Sequence, residues 1–360
     1  MGRNDKKDKM TNDQKYFDSE KFRKTVADLS RKAKLRNSFT LRPMQGGRNN
    51  RIFFVVYDNG TKILLKSYFQ HPLDKRNRLK TEYDFMNYAW NNKIRCLPKP
   101  IAADFNNNLG IYEFIEGQKL SFSEINKKKL KQALDFFIEI NKHKNTLEAK
   151  NLPIASEACF SIKEHLNNVE NRINKLKNIK NNSEIDYKAL SFVQNDLSKA
   201  WQEALLHARE CINSYELDHD KYILEKDRCI SPSDFGFHNA LLNNDNKLIF
   251  IDFEYSGWDD PAKMVCDFFC QPEVPVQRKY FDYFAETVVV DTSYPKNFRN
   301  RIKVLLPVYK IKWCCILLNE FLNAGSDRRN FAYGKSDLNQ RKINQLGKTK
   351  EYLNAFNFKI

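Results

Sequence analysis

Glycine is scarce in this chain. There are 11 in 360 residues, where ordinary usage of about 7% would give ~25. Each glycine that remains is read as marking a place where a side chain does not fit. Long apolar runs are missing too. The longest, such as Trp313–Leu318, fall far short of the ~20 residues a membrane-spanning helix needs, so no membrane span is expected. The N-terminus is polar and lysine-rich with no apolar leader, which gives a cytoplasmic location as the expectation. No C-x-x-C pair occurs among the eight cysteines. Cys266 and Cys270 are four apart, but no further Cys/His pair completes a zinc set. Reduced, mostly buried thiols are expected instead.

What is present supports a sizeable core. Hydrophobic residues make up 41%, with 27 Phe and 16 Tyr, which excludes wholesale disorder. The length suits two lobes or small domains. Lys+Arg outnumber Asp+Glu 61 to 45, for a formal charge of +16. The positive residues are spread rather than clustered, and no nucleic-acid motif accompanies them. The excess is read as compositional drift, and no specific nucleic-acid partner is expected.

Along the chain, residues 1–35 read as a charged tail followed by an amphipathic helix carrying Phe17, Phe22, Val26 and Leu29. Between about 36 and 117 the texture is strand and turn. Ile52–Tyr57 and Lys62–Tyr68 flank Asp58-Asn59-Gly60, a strong hairpin signal. A helix is predicted over about 76–90, then strands at 101–104 and 109–115. After Gly117 the pattern is helical, with apolar faces such as Ile162, Leu166, Val169, Ile173 and Leu176. A helical insertion rich in Lys and Asn spans about 156–215. Only residues 229–258 break the helical pattern, with strand-like runs.

That exception carries the chemistry. Ser231-Pro-Ser-Asp-Phe-Gly-Phe-His-Asn-Ala-Leu-Leu is followed by a turn at Asn243–Asn246 and by Leu-Ile-Phe-Ile-Asp252-Phe-Glu254. A hairpin of Ala240–Leu242 and Leu248–Ile251 would bring Asp252 back beside Asp234 and Asn239. Two carboxylates and an amide form a hard, oxygen-rich set suited to Mg²⁺. Asp234, Asn239 and Ile251-Asp252-Phe253-Glu254 resemble the catalytic loop and metal motif of the aminoglycoside phosphotransferase/choline kinase family. The resemblance implies that Asp234 positions and deprotonates a substrate hydroxyl while Asn239 and Asp252 hold metal. The sequence departs from the family where Pro232-Ser233 replaces the usual His-Gly before the Asp. His238 reads as a satisfied loop histidine.

Further residues align with this resemblance. Gln45-Gly46-Gly47-Arg-Asn-Asn50 precedes the first hairpin, as a phosphate-covering turn does in the family; glycine allows close backbone approach to an anion. Lys66, in the apolar run Ile-Leu-Leu-Lys, fits contact with the α/β-phosphates, the alternative being an edge-strand Lys facing solvent. Glu82 on the next helix would pair with it. Ile111–Gly117 fits the hinge between lobes, with the Glu113 and Ile115 backbone meeting the adenine edge. Glu254 would support a second metal or orient the loop. Asp259 and Asp260 either contact substrate or, more simply, cap the helix that starts at Pro261.

The reading is therefore an α+β, bilobal protein-kinase-like fold. It has a tail and helix at 1–35, a β-rich nucleotide-binding N-lobe at 36–117 and a helical C-lobe at 118–360 with the catalytic loop at 229–260. The expected function is an ATP- and Mg²⁺-dependent transfer of the γ-phosphoryl group to a hydroxyl of a small molecule, a sugar or sugar derivative being preferred; GTP is the other possible donor. The Lys-rich insertion disfavours a polycationic drug. The other reading is a catalytically weak or inactive nucleotide-binding module.

Overall fold

The computed structural model describes residues 17, 19–36, 38–44, 49–70, 74, 76–322, 331 and 338–355. Gly46 and Gly47 of the expected phosphate turn lie outside them. The chain divides into two units, a smaller one drawn from residues 1–75, 100–114 and 324–338 and a larger one from 76–99, 115–323 and 339–360.

Strict alternation builds the smaller unit. In β2 (Arg51–Tyr57), which pairs antiparallel with β1 (Phe39–Met44), the side chains of Phe53, Val55 and Tyr57 are buried and their neighbours half-exposed, the period-2 pattern of a sheet with one covered face. The Asp58-Asn59-Gly60 turn then reverses the chain into β3 (Lys62–Ser67). Gly60 takes φ +82° and its N–H donates to the Tyr57 carbonyl at 2.9 Å. With β4 (Pro100–Asp104) and β5 (Leu109–Glu113) the sheet is antiparallel throughout, in the order β1-β2-β3-β5-β4. Helix α1 (Glu20–Lys32) starts at Ser19, whose side chain accepts from the Phe22 N–H. Its apolar stripe of Phe22, Val26 and Leu29 joins Phe53, Val55, Ile63, Leu65 and Ile111 in one core.

The larger unit is mainly helical. It opens with α2 (Arg78–Asn91), which starts two residues later than predicted. The sequence pattern groups residues 76–99 with the β-rich part, but they pack in the larger unit. Tyr88 donates its hydroxyl to the Ile140 carbonyl at 2.7 Å, and the Phe250 N–H donates to the Cys96 carbonyl at 2.8 Å. A three-stranded sheet combines β6 (Gln118–Lys119), β8 (Ala240–Leu242) and β9 (Leu248–Phe250); β7 (Cys229–Ser231) pairs with β10 (Gly257–Asp259). The expected helical faces appear as α3 (Lys127–Lys142), α4 (Ile162–Leu176), α5 (Glu184–Phe192) and α6 (Ser198–Ser214), the last two joined by a π turn. α7 (Pro261–Cys270), α8 (Phe281–Val289), α9 (Pro295–Leu317) and α10 (Leu338–Asn354) complete it, α9 packing against α4, α6 and α7. Six of the eight thiols are buried. No helix among the described residues is long and apolar enough to cross a membrane.

Candidate active site

The β8–β9 hairpin forms as the sequence pattern requires, with Ala240 opposite Phe250 and Leu242 opposite Leu248. One further ladder bond follows, from the Ile251 N–H to the Asn239 carbonyl at 2.9 Å. Asp252 therefore emerges beside Asn239. The Asn239 side-chain amide donates to the Asp234 carbonyl at 2.9 Å, which ties the loop's two functional positions together and leaves the amide oxygen as an acceptor. Asp234 and Asp252 are both partly exposed.

Aromatic residues hold these polar ones outward. Phe235 and Phe253, each following a key aspartate, are buried. Phe235 packs on Phe268 with ring centroids 5.1 Å apart, and Phe253 stacks on Phe85 at 4.8 Å. Phe136 stacks nearly parallel on Phe250 at 4.7 Å. This apolar floor fixes the loop at its base, since buried rings cannot turn without opening a cavity.

Two non-glycine residues of the site adopt left-handed backbone: Ser233 at φ +66° and Asp252 at φ +68°. Such conformations cost about 1–3 kcal/mol and persist where surrounding structure enforces them. The enforcement is visible. Ser233 stands where the motif it resembles would carry glycine; its N–H donates to Ser231 Oγ at 2.9 Å, and the Lys263 ammonium donates to its Oγ at 3.1 Å. After Asp252, the Phe253 N–H donates to Glu82 Oε1 at 3.3 Å. Glu82 is 2% exposed, so α2 reaches the segment that follows Asp252 directly.

Lys263 is the residue that sequence reasoning missed. It is fully buried, 2.6 Å from Asp259 and 3.4 Å from Asp267. Burial opposes its charge, but the two carboxylates outweigh that and hold the ammonium protonated. The signal was present: Asp259, at the end of β10, and Lys263 and Asp267 of α7 recur at four-residue spacing amid apolar residues. Asp267 also accepts from Lys312 at 3.2 Å and from the Trp313 indole at 3.1 Å.

The remaining candidates fall as follows. Asp260 is buried and caps α7, accepting from the Ala262 N–H at 2.7 Å; it also pairs with Arg301 at 2.7 Å. Asp259 and Asp260 are both 0% exposed, which corrects the substrate-contact alternative: their carboxylates are committed to buried cations. Glu254 is buried with a carboxylate oxygen 3.8 Å from Arg78 Nε. His238, read as a satisfied loop histidine, places Nε2 3.0 Å from Asp234 Oδ1.

Within the smaller unit, Lys66 is 6% exposed in a central strand, opposite Ile52 and Gly110. That excludes the edge-strand, solvent-facing alternative. Its ammonium lies 5.8 Å from the Tyr68 ring, whose hydroxyl is 2.7 Å from that of Tyr112. Asn50 is buried, and its side-chain oxygen accepts from the Phe69 N–H at 3.3 Å. Glu113 is exposed at the end of β5 and Ile115 is half-buried; the chain passes from the smaller unit to the larger one between Phe114 and Ile115.

Comparison with solved structures finds proteins of similar fold. The choline kinase LicA from Streptococcus pneumoniae is 15% identical with a TM-score of 0.55, over 94% of this chain and 100% of that one. A choline/ethanolamine kinase family protein from Mesorhizobium loti is 14% identical, with a TM-score of 0.54 over 89% and 90% of the two chains. A spectinomycin phosphotransferase solved with ADP and its drug is 13% identical, with a TM-score of 0.57 over 90% and 98%. At these identities the likeness is one of fold. A sequence comparison with curated proteins gives no match. The sequence model of choline/ethanolamine kinase matches residues 41–298, and the chain belongs to that family. It is a small-molecule kinase that phosphorylates a hydroxyl group.

Proposed function

We propose that the chain transfers the γ-phosphoryl group of ATP to the hydroxyl of a small amino alcohol of the choline or ethanolamine kind. The observation that supports this best is the joining of Asp234, Asn239 and Asp252 through two hydrogen bonds, Ile251 N–H to the Asn239 carbonyl and Asn239 Nδ2 to the Asp234 carbonyl, both 2.9 Å. Asp234 is the only one of the three with a carboxylate and no metal assignment. It accepts the proton of the attacking hydroxyl and orients that oxygen in line with the phosphorus.

The free oxygen of the Asn239 amide and the partly exposed Asp252 carboxylate form a hard donor pair, which fits Mg²⁺. Mg²⁺ bound there would neutralise charge on the nucleotide phosphates. Glu82 and Glu254 act on this pair from behind, Glu82 by holding the Phe253 peptide and Glu254 beside Arg78. Lys66 and Asn50 are assigned to the nucleotide phosphates. Gly46 and Gly47, outside the described residues, are assigned to the phosphates as well, and the Glu113 and Ile115 backbone to adenine.

The family match favours an amino alcohol as acceptor. A sugar or sugar derivative is the second reading, favoured by the +16 charge and the Lys-rich insertion. ADP release in the presence of Mg²⁺-ATP, scanned over choline, ethanolamine and a panel of sugars, separates the two. Asp234→Asn should abolish transfer while nucleotide binding survives. Normal turnover by that variant would remove Asp234 as the base, and no turnover by the native chain with any acceptor would favour an inactive nucleotide-binding module.

A further inference from the structure

We propose that His238 is a positioning residue for Asp234, an inference that rests on the reading of Asp234 as the base. The contact is Nε2 to Oδ1 at 3.0 Å. An ionised carboxylate only accepts hydrogen bonds, so Nε2 carries the hydrogen. Nδ1 is buried and has no hydrogen-bond partner among the described residues. A proton there would be a buried donor with nothing to receive it, which is costly. The geometry therefore makes Nε2 the donor to Asp234.

The ring is clamped in that orientation. A Cβ on Gly236 would lie 2.7 Å from Nδ1 and 2.9 Å from Cε1, so the ring occupies space that any side chain at 236 would need. On another side Trp313 meets the imidazole edge to face, centroids 6.3 Å apart at 86°. Trp313 is itself held by its indole N–H on Asp267 at 3.1 Å. The imidazole thus connects Asp234 to the buried Asp267–Lys312 pair through rigid, packed groups.

The consequence for the reaction is a division of labour on one carboxylate. Oδ1 is engaged by His238, which fixes the side-chain torsion of Asp234. In this scheme Oδ2 takes the substrate proton. A free aspartate side chain would sample other rotamers, each misaligned for in-line transfer. His238 touches neither substrate nor phosphate in this scheme; it acts through Asp234.

The test compares His238→Ala, His238→Gln, Gly236→Ala and Asp234→Asn. Turnover is read as ADP release from Mg²⁺-ATP with choline or ethanolamine added, and with water alone as acceptor. Loss of a hydrogen bond to a charged group predicts a fall in kcat of about 10- to 100-fold for His238→Ala. The KM for ATP should stay within about twofold. The Gln variant restores a donor and should recover most of the loss, which a purely structural role would not give. Gly236→Ala should displace the ring and lower kcat by itself, yet add nothing in the His238→Ala background. Native kcat in His238→Ala, or equal loss in the Ala and Gln variants, overturns the inference. If His238→Ala does not fold, Gly236→Ala decides, and its native kcat would overturn the inference as well. An active Asp234→Asn would instead remove the base assignment, whatever His238 does.

Discussion

Lys263 Nζ donates to Ser233 Oγ at 3.1 Å across thirty residues of sequence. This bond anchors the residue before the proposed base, where the motif it resembles would carry glycine and where the backbone here is left-handed at φ +66°. A buried ammonium thus does a task that the departure from His-Gly had left open. The expected cost of removing it is large. Lys263→Met would leave the fully buried Asp259 carboxylate without its 2.6 Å partner, whereas Asp267 keeps Lys312 and Trp313. Breaking a buried pair from one side costs about 3–5 kcal/mol, while Ser233→Ala should cost only about 1 kcal/mol. Denaturant unfolding of both variants measures the difference, and a native midpoint for Lys263→Met would refute the anchoring role.

Gly257 shows why a glycine-poor chain keeps the glycines it has. At φ +150°, a Cβ there would stand 2.2 Å from the Pro153 carbonyl and 2.8 Å from the Ala155 nitrogen. The two segments lie this close because the Trp258 N–H donates to the Pro153 carbonyl and the Ala155 N–H to the Trp258 carbonyl, each at 2.9 Å. Gly257→Ala should therefore destabilise by about 3 kcal/mol or more, combining backbone strain with displacement. Gly60→Ala is the control: at φ +82° nothing lies within 4 Å of the new Cβ, so only strain of about 1 kcal/mol applies. Equal unfolding midpoints for the two variants would contradict this.

The contrast between these sites explains what could be read from sequence. The hairpin at Asp58-Asn59-Gly60, the amphipathic stripe of α1 and the β8–β9 return of Asp252 toward Asn239 rest on local chemistry, whose signals span a few residues. The anchoring of Ser233 by Lys263, of Phe253 by Glu82 and of His238 against Gly236 and Trp313 joins segments 30, 171 and 75 or more residues apart or depends on which face a short turn presents. No periodicity reports such a partnership. Burial also redirected Asp259 and Asp260: their letters are compatible with substrate contact, and only their 0% exposure assigns them to the interior.

Lys66 offers a test of the nucleotide reading that does not involve the acceptor. It is 6% exposed within a central strand, where a charged group is retained only with a counterpart or a task. Lys66→Met keeps the apolar stem and removes the charge, so folding should survive. ATP affinity should fall about tenfold or more, the scale of a lost charge-assisted contact. Equilibrium binding of ATP measures this directly, and unchanged affinity would exclude Lys66 from the phosphate site.

His165 predicts how stability responds to acid. Its Nε2 lies 3.1 Å from Asp260 Oδ2 and its Nδ1 2.8 Å from the Tyr309 hydroxyl, with the ring fully buried. Burial is the largest influence and pushes the imidazole down to about 4, against the opposing pull of Asp260. In the unfolded chain a histidine titrates near 6.5. Between these values the unfolded state binds a proton that the folded state refuses, so stability rises with pH across that window and falls as pH drops from about 6.5 toward 4. The slope approaches ~1.4 kcal/mol per pH unit for one proton. His165→Gln keeps an N–H donor for Asp260 and an oxygen for Tyr309 but cannot titrate. Between pH 7 and pH 5 the native chain should lose about 2 kcal/mol more than this variant. Denaturant unfolding at the two pH values gives the difference, and parallel losses would show that His165 takes up its proton in the folded state as readily as in the unfolded one.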